Sequence, residues 1–135
     1  MKRVSTRAVI FKNNELVVFK RRKNGEEYYS LPGGGLENYE DMESCVLREI
    51  EEEYSCKSKI LGYLGRREDN NSVQYYFHLE LFGNPILGGE EKDRNCKENQ
   101  YTIVYIPLES IKNSKIYNVD LIENAIINKY VEKDY

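Results

Sequence analysis

The sequence has few of the residues on which disulfide-rich, zinc-binding and histidine-based proteins depend. Its three cysteines, Cys45, Cys56 and Cys96, are odd in number and show no C-x-x-C spacing. We therefore expect reduced thiols rather than a disulfide framework or a zinc site. Histidine occurs once, at His78. A lone histidine in a strand is more often a hydrogen-bonded structural residue than a catalyst, and we assign it no catalytic role.

Long apolar runs and an excess of positive charge are also missing. No stretch approaches the roughly 18 apolar residues of a membrane span, and no apolar run of signal-peptide length follows Met1-Lys2-Arg3. These absences predict a cytoplasmic protein with no membrane partner. The net charge of -3 and pI near 5.4 argue against non-specific nucleic-acid binding, which needs a basic balance.

What is present fits one folded unit. A chain of 135 residues with 40% hydrophobic content is long enough to bury one core, and it predicts a single domain over residues 1–135. The sequence leaves the oligomeric state open, and both a monomer and a homodimer are compatible with it.

The most informative stretch, residues 31–56, joins a glycine-rich loop to an acidic helix. The proline and three glycines at 32–35 exclude a regular helix or a central strand, because glycine loses backbone entropy and proline removes a donor. The following pattern predicts a helix over residues 42–54, with Asp41 or Asn38 as its N-cap.

Three acidic residues, Glu49, Glu52 and Glu53, share one face of this predicted helix. They crowd its C-terminal turn, where the helix dipole disfavours a carboxylate by a few tenths of a kcal/mol or more. One interpretation is a solvated acidic face, the usual meaning of a glutamate run. The other is a metal site, which we favour because the acids lie on the same side as apolar residues and follow a loop rich in exposed amides. Carboxylate oxygens suit Mg²⁺ or Mn²⁺ better than zinc.

Six residues in this stretch have the identity and spacing of a family signature. The stretch resembles that of the Nudix hydrolases, G-x5-E-x7-R-E-U-x-E-E-x-G-U, where U is a bulky aliphatic residue. The match departs at the end, where Ser55 occupies the glycine position and Cys56 the last aliphatic one. Neither is an expected metal ligand, so the departure concerns the turn. The matching residues are Gly34, Glu40, Arg48, Glu49, Glu52 and Glu53.

The resemblance implies a fold and an activity. The expected fold is the Nudix α/β/α sandwich, a mixed sheet packed between helices, which agrees with strands on both sides of a central helix. The expected enzyme is a Mg²⁺-dependent hydrolase that cleaves the pyrophosphate linkage of a nucleoside diphosphate joined to another moiety. Its expected partner is a small-molecule nucleotide or nucleotide derivative.

The metal-binding and catalytic roles then fall on the signature residues. We expect Glu49, Glu52 and Glu53 to hold Mg²⁺, or Mn²⁺ in its place, with a loop carbonyl at Gly33 as a further ligand. Glu53 is either a direct ligand or the general base, with Glu52 beside it. Arg48 can pair with Glu52 or Glu40 and so fix the acids.

The expected substrate contacts are spread more widely. Gly34 and Gly35 let the backbone approach the substrate closely. In Nudix enzymes a basic residue in the region where the second strand ends commonly meets the substrate's phosphates. The resemblance therefore makes Arg21 or Arg22 a candidate, although a solvated strand end is the plainer interpretation. Tyr76 is a candidate to contact a base or sugar, against the alternative of simple burial.

A further carboxylate is expected from the long polar loop at 83–100. The resemblance implies that such a loop supplies an acid to the metal or to the attacking water, and Glu90 or Glu91 fits that role. A flexible polar loop without catalytic function is an equal alternative.

Strand and helix patterns fill the remaining chain. A first hairpin turns at Asn13-Asn14, and Val119, Ile122, Ile126 and Tyr130 fall at the spacing of a final amphipathic helix. The predicted strands are 4–11, 16–22, 57–66, 73–82 and 101–106, with a short turn of helix near 108–112.

Three hypotheses of different classes follow. The first is the Mg²⁺-dependent hydrolase. The second is a Nudix-like module that binds a nucleotide or metabolite without turnover, suggested by Ser55 and opposed by the intact acidic cluster. The third is a small acidic scaffold whose helix binds another protein. At Ser55, where the signature has glycine, we favour a positive φ over a reshaped turn in which Ser55 has a negative φ and its hydroxyl bonds back to a helix carbonyl.

Overall fold

The computed structural model describes residues 2–89, 92, 95, 96 and 98–135. These described residues form six β-strands, two α-helices and one 3₁₀ helix. The strands are β1 Arg3–Lys12, β2 Glu15–Lys23, β3 Glu26–Ser30, β4 Lys57–Glu68, β5 Ser72–Phe82 and β6 Asn99–Pro107. The helices are α1 Met42–Tyr54, the 3₁₀ helix Leu108–Asn113 and α2 Val119–Ile126.

The sheet is mixed, as predicted. Strand β1 runs parallel to β5, and β5 is antiparallel to β4. Strand β2 is antiparallel to both β3 and β6, and it joins β1 only at the hairpin, where Phe11 lies opposite Leu16. The strand order is β3-β2-β1-β5-β4, with β6 on β2. Since β1 belongs to the parallel pair and leads into β2, it connects the two halves of the sheet.

Both faces of β1 and β2 are buried, which makes the fold a three-layer sandwich. Ala8 and Phe19 pack with Ile50 of α1 on one side of the sheet. Val9 on the other side packs with Leu121 of α2. Alternate side chains of a strand point to opposite faces, so two separate apolar clusters are expected from continuous apolar strands. The predicted α/β/α class is confirmed.

The predicted bounds of α1 and the predicted turn at Asn13-Asn14 are confirmed. Helix α1 has the predicted bounds, and Asp41 caps it by accepting a hydrogen bond at Oδ1 from the Ser44 amide at 2.7 Å. Asn13 and Asn14 have φ of 52° and 62°, as a two-residue hairpin turn with two left-handed positions requires.

The predicted elements need correction at one strand and at the end of one helix. Strand β3 was missed, because its sequence EEYYS is short and does not alternate between apolar and polar residues. Tyr130 was placed on the last helix, but α2 ends at Ile126. The Tyr130 ring lies against Gly62, where an added Cβ would be 2.3 Å from it. Its hydroxyl is 2.9 Å from Nδ1 of His78, so this histidine has a structural partner.

The described helices include none that is both long and apolar enough to cross a membrane. Cys45, Cys56 and Cys96 are free thiols, in agreement with the cysteine spacing.

Candidate active site

The glycine-rich loop lies flat against β1. The Thr6 amide donates to the Gly34 carbonyl and the Ala8 amide to the Pro32 carbonyl, both at 2.9 Å. Gly33 has a φ of 146°, and a Cβ added there would lie 2.0 Å from the Thr6 carbonyl oxygen. This close approach of two backbones leaves room only for glycine.

The same loop contacts two carboxylates of α1. A Cβ at Gly34 would lie 2.4 Å from the carboxylate carbon of Glu49, so the missing side chain makes room for that acid. The Gly33 amide donates to Oε2 of Glu53 at 3.3 Å. Glu53 is 3% exposed, and the Glu49 side chain is 15% exposed. The loop and the helix thus place two mostly buried carboxylates, one helical turn apart, at the same place.

Arg48 holds the acids around it in position. Its Nε and Nη2 atoms donate to the two carboxylate oxygens of Glu40 at 2.6 and 2.9 Å. Its Nη1 atom donates to Glu49 at 3.0 Å and to Glu52 at 3.3 Å. The sequence predicted that Arg48 pairs with Glu40 or with Glu52, and both pairs are present together. The charged hydrogen bonds from Arg48 lower the pKa of Glu40 from 4.5 to about 2, and those from the acids raise the pKa of Arg48.

Glu52 is not brought together with the other two predicted metal ligands. Its side chain is 54% exposed, and its carboxylate lies 3.3 Å from Nη1 of Arg48 one turn earlier on the helix. Within residues 2–89, 92, 95, 96 and 98–135, no three acidic, histidine or cysteine side chains converge as a metal-binding group. Glu49 and Glu53 are the two signature acids that meet the loop.

Glu49 and Glu53 form one wall of a cavity of about 310 Å³, which we call the polar cavity. Arg3, Arg7 and Arg21 also line it. Acids and bases therefore share one recess with the glycine loop. A cation can be bound by its carboxylates and an anion by its guanidinium groups.

Arg21, rather than Arg22, faces this cavity. The Arg21 guanidinium lies 3.7 Å from the centre of the Tyr101 ring and donates to Asn99 at 2.8 Å. Arg22 is the next residue along β2, so it points to the opposite face, where it lies 3.6 Å from Glu27. The sequence left Arg21 and Arg22 as alternatives, and the alternation of side chains along β2 places Arg21 at the cavity.

Arg3 and Arg7 were missed in the sequence. They are four residues apart on β1 and so share one face of the strand. The available signal was this repeat of basic residues in an otherwise apolar strand. It pointed to no site, because the parallel pairing of β1 and its contact with the glycine loop are tertiary features.

A second cavity, the aromatic cavity, adjoins the polar one and shares Arg7, Ser30 and Leu31 with it. Tyr76 lies in its wall and is only 3% exposed. The prediction that Tyr76 is a substrate contact therefore refers to this second cavity. The remaining lining residues are Tyr28, Tyr29, Gln74, Ile116 and Tyr117.

The end of α1 and its buried thiol have structural roles. Ser55 has φ 54° and ψ 32°, so the positive φ predicted from the signature is confirmed. Cys45 lies behind the loop, with its Sγ 3.6 Å from the Gly35 carbonyl oxygen. Burial raises its pKa to about 11, which keeps the thiol protonated at neutral pH.

Glu90 and Glu91, the candidates for a further carboxylate in the site, lie outside the described residues.

Comparisons with known proteins agree with this architecture. The NUDIX domain family model matches residues 1–121. An ADP-ribose pyrophosphatase from Methanocaldococcus jannaschii is 30% identical over 95 residues, which are 65% of this chain and 56% of the relative. The chain thus spans little more than half the length of that curated relative.

Solved structures of other proteins share the fold. A NUDIX hydrolase from Nitrosomonas europaea has a TM-score of 0.75 at 16% identity, with 99% of this chain and 95% of the other covered. An ADP-ribose pyrophosphatase from Streptococcus suis has a TM-score of 0.68 at 14% identity, with 98% and 96% covered. At these identities the likeness concerns the fold alone. With the signature residues in place around the glycine loop and the family model matched over residues 1–121, the chain belongs to the Nudix family.

Proposed function

We propose that this chain, as one domain over residues 1–135, is a cytoplasmic, Mg²⁺-dependent pyrophosphohydrolase. Its substrate is a nucleoside diphosphate linked to another moiety, and the bond cleaved is the pyrophosphate linkage. The observation that carries the proposal is the polar cavity, where Glu49 and Glu53 share one recess with three arginines. A ligand that combines phosphates with a cation matches both signs of charge. The name of the archaeal relative, ADP-ribose pyrophosphatase, supports the same class of substrate.

The residues on α1 fit a divalent ion. Nudix hydrolases generally use divalent metal ions, and Glu49 and Glu53 offer the hard oxygen donors that Mg²⁺ or Mn²⁺ prefers. Glu52 would join them by leaving its exposed ion pair with Arg48 and binding the metal ion instead. The Gly33 carbonyl oxygen would be the main-chain ligand. When bound, the ion supplies charge neutralisation of the phosphates and acidification of a bound water.

The residues of the chain divide the remaining work. Glu53 either binds the ion directly or accepts the proton of the attacking water; its burial and the Gly33 amide fix its orientation for both roles. The water oxygen bonds to one phosphorus, and the bridging P–O bond breaks to give two phosphate products. Arg3, Arg7 and Arg21 neutralise phosphate oxygens in this step. Arg48 is a positioning residue that keeps Glu49 and Glu40 in place.

Turnover of a nucleotide panel tests the proposal. In the presence of Mg²⁺, phosphate-containing products should form from nucleoside diphosphate sugars or related compounds. An excess of chelator should stop their formation. Ligand-induced thermal shifts without any turnover would instead support the binding module. The absence of both turnover and thermal shifts would support the protein-binding scaffold and would contradict the proposal.

A further inference from the structure

The guanidinium group of Arg21 lies over an aromatic ring of β6. Tyr101 is directly opposite Arg21 in the pairing of β2 with β6, and the guanidinium carbon is 3.7 Å from the centre of the Tyr101 ring. The Tyr28 ring of β3 is further away, at 5.7 Å. Since an aromatic face attracts a cation at such distances, the Tyr101 ring stabilises one position of the guanidinium group.

The two groups that hold Arg21 in this position are uncharged. Nη2 of Arg21 donates to Oδ1 of Asn99 at 2.8 Å, and the Tyr101 ring carries no formal charge. Arg22, the next residue of the strand, instead lies 3.6 Å from the carboxylate of Glu27. Among the residues that the structure describes, no carboxylate forms an ion pair with Arg21. Its positive charge is therefore held in place without being neutralised.

This arrangement leaves hydrogen-bond donors of Arg21 for a ligand. A guanidinium group is planar, and its five N–H bonds lie in that plane. The Tyr101 ring contacts the face of the plane, so the stacking uses none of these donors. Asn99 accepts from one of them, and Nε is buried without an acceptor among the described residues. Nη1 and the second hydrogen of Nη2 remain for phosphate oxygens, whose geometry the group matches.

The start of β6 is itself fixed, so it can hold the guanidinium group. The Tyr101 amide donates to Oδ1 of Asn95 at 2.7 Å, and Nδ2 of Asn95 donates to the Tyr101 carbonyl at 3.4 Å. Asn99 and Cys96 exchange two backbone hydrogen bonds, at 3.0 and 3.2 Å. The buried Phe19 ring lies edge-on to the Tyr101 ring, with 5.7 Å between the ring centres. These contacts restrict the positions that the Tyr101 ring and the Asn99 amide can take.

We propose that Tyr101 and Asn99 are positioning residues that orient the Arg21 guanidinium toward a diphosphate group in the polar cavity. The inference rests on the proposed function for the identity of the anion. A long side chain that becomes ordered only on binding loses rotamer freedom, and this loss weakens the complex. Because Tyr101 and Asn99 order Arg21 before the ligand arrives, less of this entropy is lost on binding. Both residues therefore act on the ligand through Arg21.

Calorimetric titration with methylenediphosphonate in the presence of Mg²⁺ tests the proposal. The P–C–P bridge of this diphosphate analogue is not hydrolysed, so binding is measured without turnover. Tyr101→Leu, which removes the ring, should weaken binding about tenfold. Tyr101→Phe keeps the ring and should bind within about twofold of wild type. Asn99→Ala should weaken binding about threefold.

A double-mutant cycle separates positioning from direct contact, because Tyr101 also lines the polar cavity. In a chain that already carries Arg21→Gln, adding Tyr101→Leu should change the affinity by less than about twofold. A residue with a direct or purely structural role would cost the same with and without Arg21. Asn99→Ala in the same two backgrounds provides the cycle if Tyr101→Leu fails to fold.

Tyr105→Leu is the matched control. Tyr105 lies four residues further along β6, on the same face as Tyr101, and is 42% exposed. It lines a different cavity, beside the 3₁₀ helix. This variant should leave the affinity for methylenediphosphonate unchanged, so it controls for the loss of a tyrosine from this strand.

Several results would overturn the positioning role. They are no measurable binding to the wild type, equal losses from Tyr101→Leu with and without Arg21, or a loss in Tyr101→Phe as large as that in Tyr101→Leu. The proposed hydrolase function fails separately. Absence of turnover across the nucleotide panel, with methylenediphosphonate binding that still shows the coupling of Tyr101 to Arg21, would refute hydrolysis and uphold the positioning role.

Discussion

The polar and aromatic cavities adjoin but are built in different ways. The acidic wall of the polar cavity comes from one segment, from Gly33 to Glu53. Within it, Arg48 donates to Glu49 and the Gly33 amide donates to Glu53. The aromatic cavity draws residues from β3, from β5 and from the segment before α2. Of its tyrosines, Tyr76 is buried and its hydroxyl contacts the side-chain amides of Gln74 and Asn118, at 3.0 and 2.8 Å. The acidic part of the site is thus encoded locally, whereas the aromatic part depends on the whole fold.

The largest difference between the two cavities should appear with Glu53→Gln. Because the proposed role of Glu53 is that of metal ligand or general base, kcat/KM should fall by about 10²-fold or more, while the fold and the aromatic cavity should be unchanged. The matched control is Glu51→Gln. Glu51 lies on the same helix, pairs with Lys57 at 3.1 Å and is exposed. Most of the Mg²⁺-dependent activity surviving in Glu53→Gln would remove Glu53 from the mechanism.

A pair of glycine variants should separate chemistry from packing. In Gly34→Ala the new Cβ meets the end of the flexible Glu49 side chain at 2.4 Å. We expect at least about a tenfold loss of turnover, because the added methyl group displaces Glu49, a proposed metal ligand. In Gly62→Ala the Cβ meets the Tyr130 ring at 2.3 Å. There we expect a stability loss of about 1–3 kcal/mol with normal turnover per folded molecule.

Thermal melts and steady-state kinetics on both glycine variants decide between these effects. Equal losses of activity in Gly34→Ala and Gly62→Ala would show that the Gly34 contact with Glu49 has no special role in the site.

Glu40→Gln should destabilise the protein in a pH-dependent way. The folded-state pKa of Glu40 is lowered from 4.5 to about 2 by Arg48, so its contribution is complete above pH 4.5 and is lost as the pH falls toward 2. We expect a difference of about 1.5–3 kcal/mol from wild type at pH 7. Urea denaturation at pH 7, 5, 4 and 3 should show this difference shrinking below pH 4.5. A constant difference across the series would mean that the Glu40 charge is not the cause.

The smallest expected effect concerns the end of α1. Ser55 has a φ of 54°, a conformation that costs a residue with a Cβ on the order of 1 kcal/mol. Ser55→Gly should therefore stabilise the domain by up to about 1 kcal/mol, whereas Ser55→Ala, which keeps the Cβ, should bring no such gain. Paired urea denaturation curves measure both. A lower midpoint for Ser55→Gly at unchanged slope would contradict this account of the turn.

The sequence predicted the parts of the molecule that depend on neighbours along the chain. Helix α1, its Asp41 cap and the turn at Asn13 follow from local capping and turn preferences. Arg48 and its two expected partners also follow, because they are one helical turn or one short loop apart. The left-handed Ser55 is fixed by the same local geometry.

The sequence did not predict contacts between distant segments. Arg3 and Arg7 belong to the site only because β1 lies against the glycine loop. Tyr130 leaves the helical pattern because Gly62, far away in sequence, provides space for its ring. Strand β3 has no period and forms because β2 offers it an edge.

Binding of the metal tests the central claim most directly, because it needs no knowledge of the substrate. Millimolar Mg²⁺ or Mn²⁺ should raise the melting temperature of the wild-type chain. At an ion concentration of 100 times the Kd, the free energy of unfolding should rise by about 2.7 kcal/mol. The shift should shrink in Glu49→Gln, Glu52→Gln and Glu53→Gln and persist in Glu51→Gln. Equal shifts in all five proteins would place the ion elsewhere and contradict a metal-dependent site on α1.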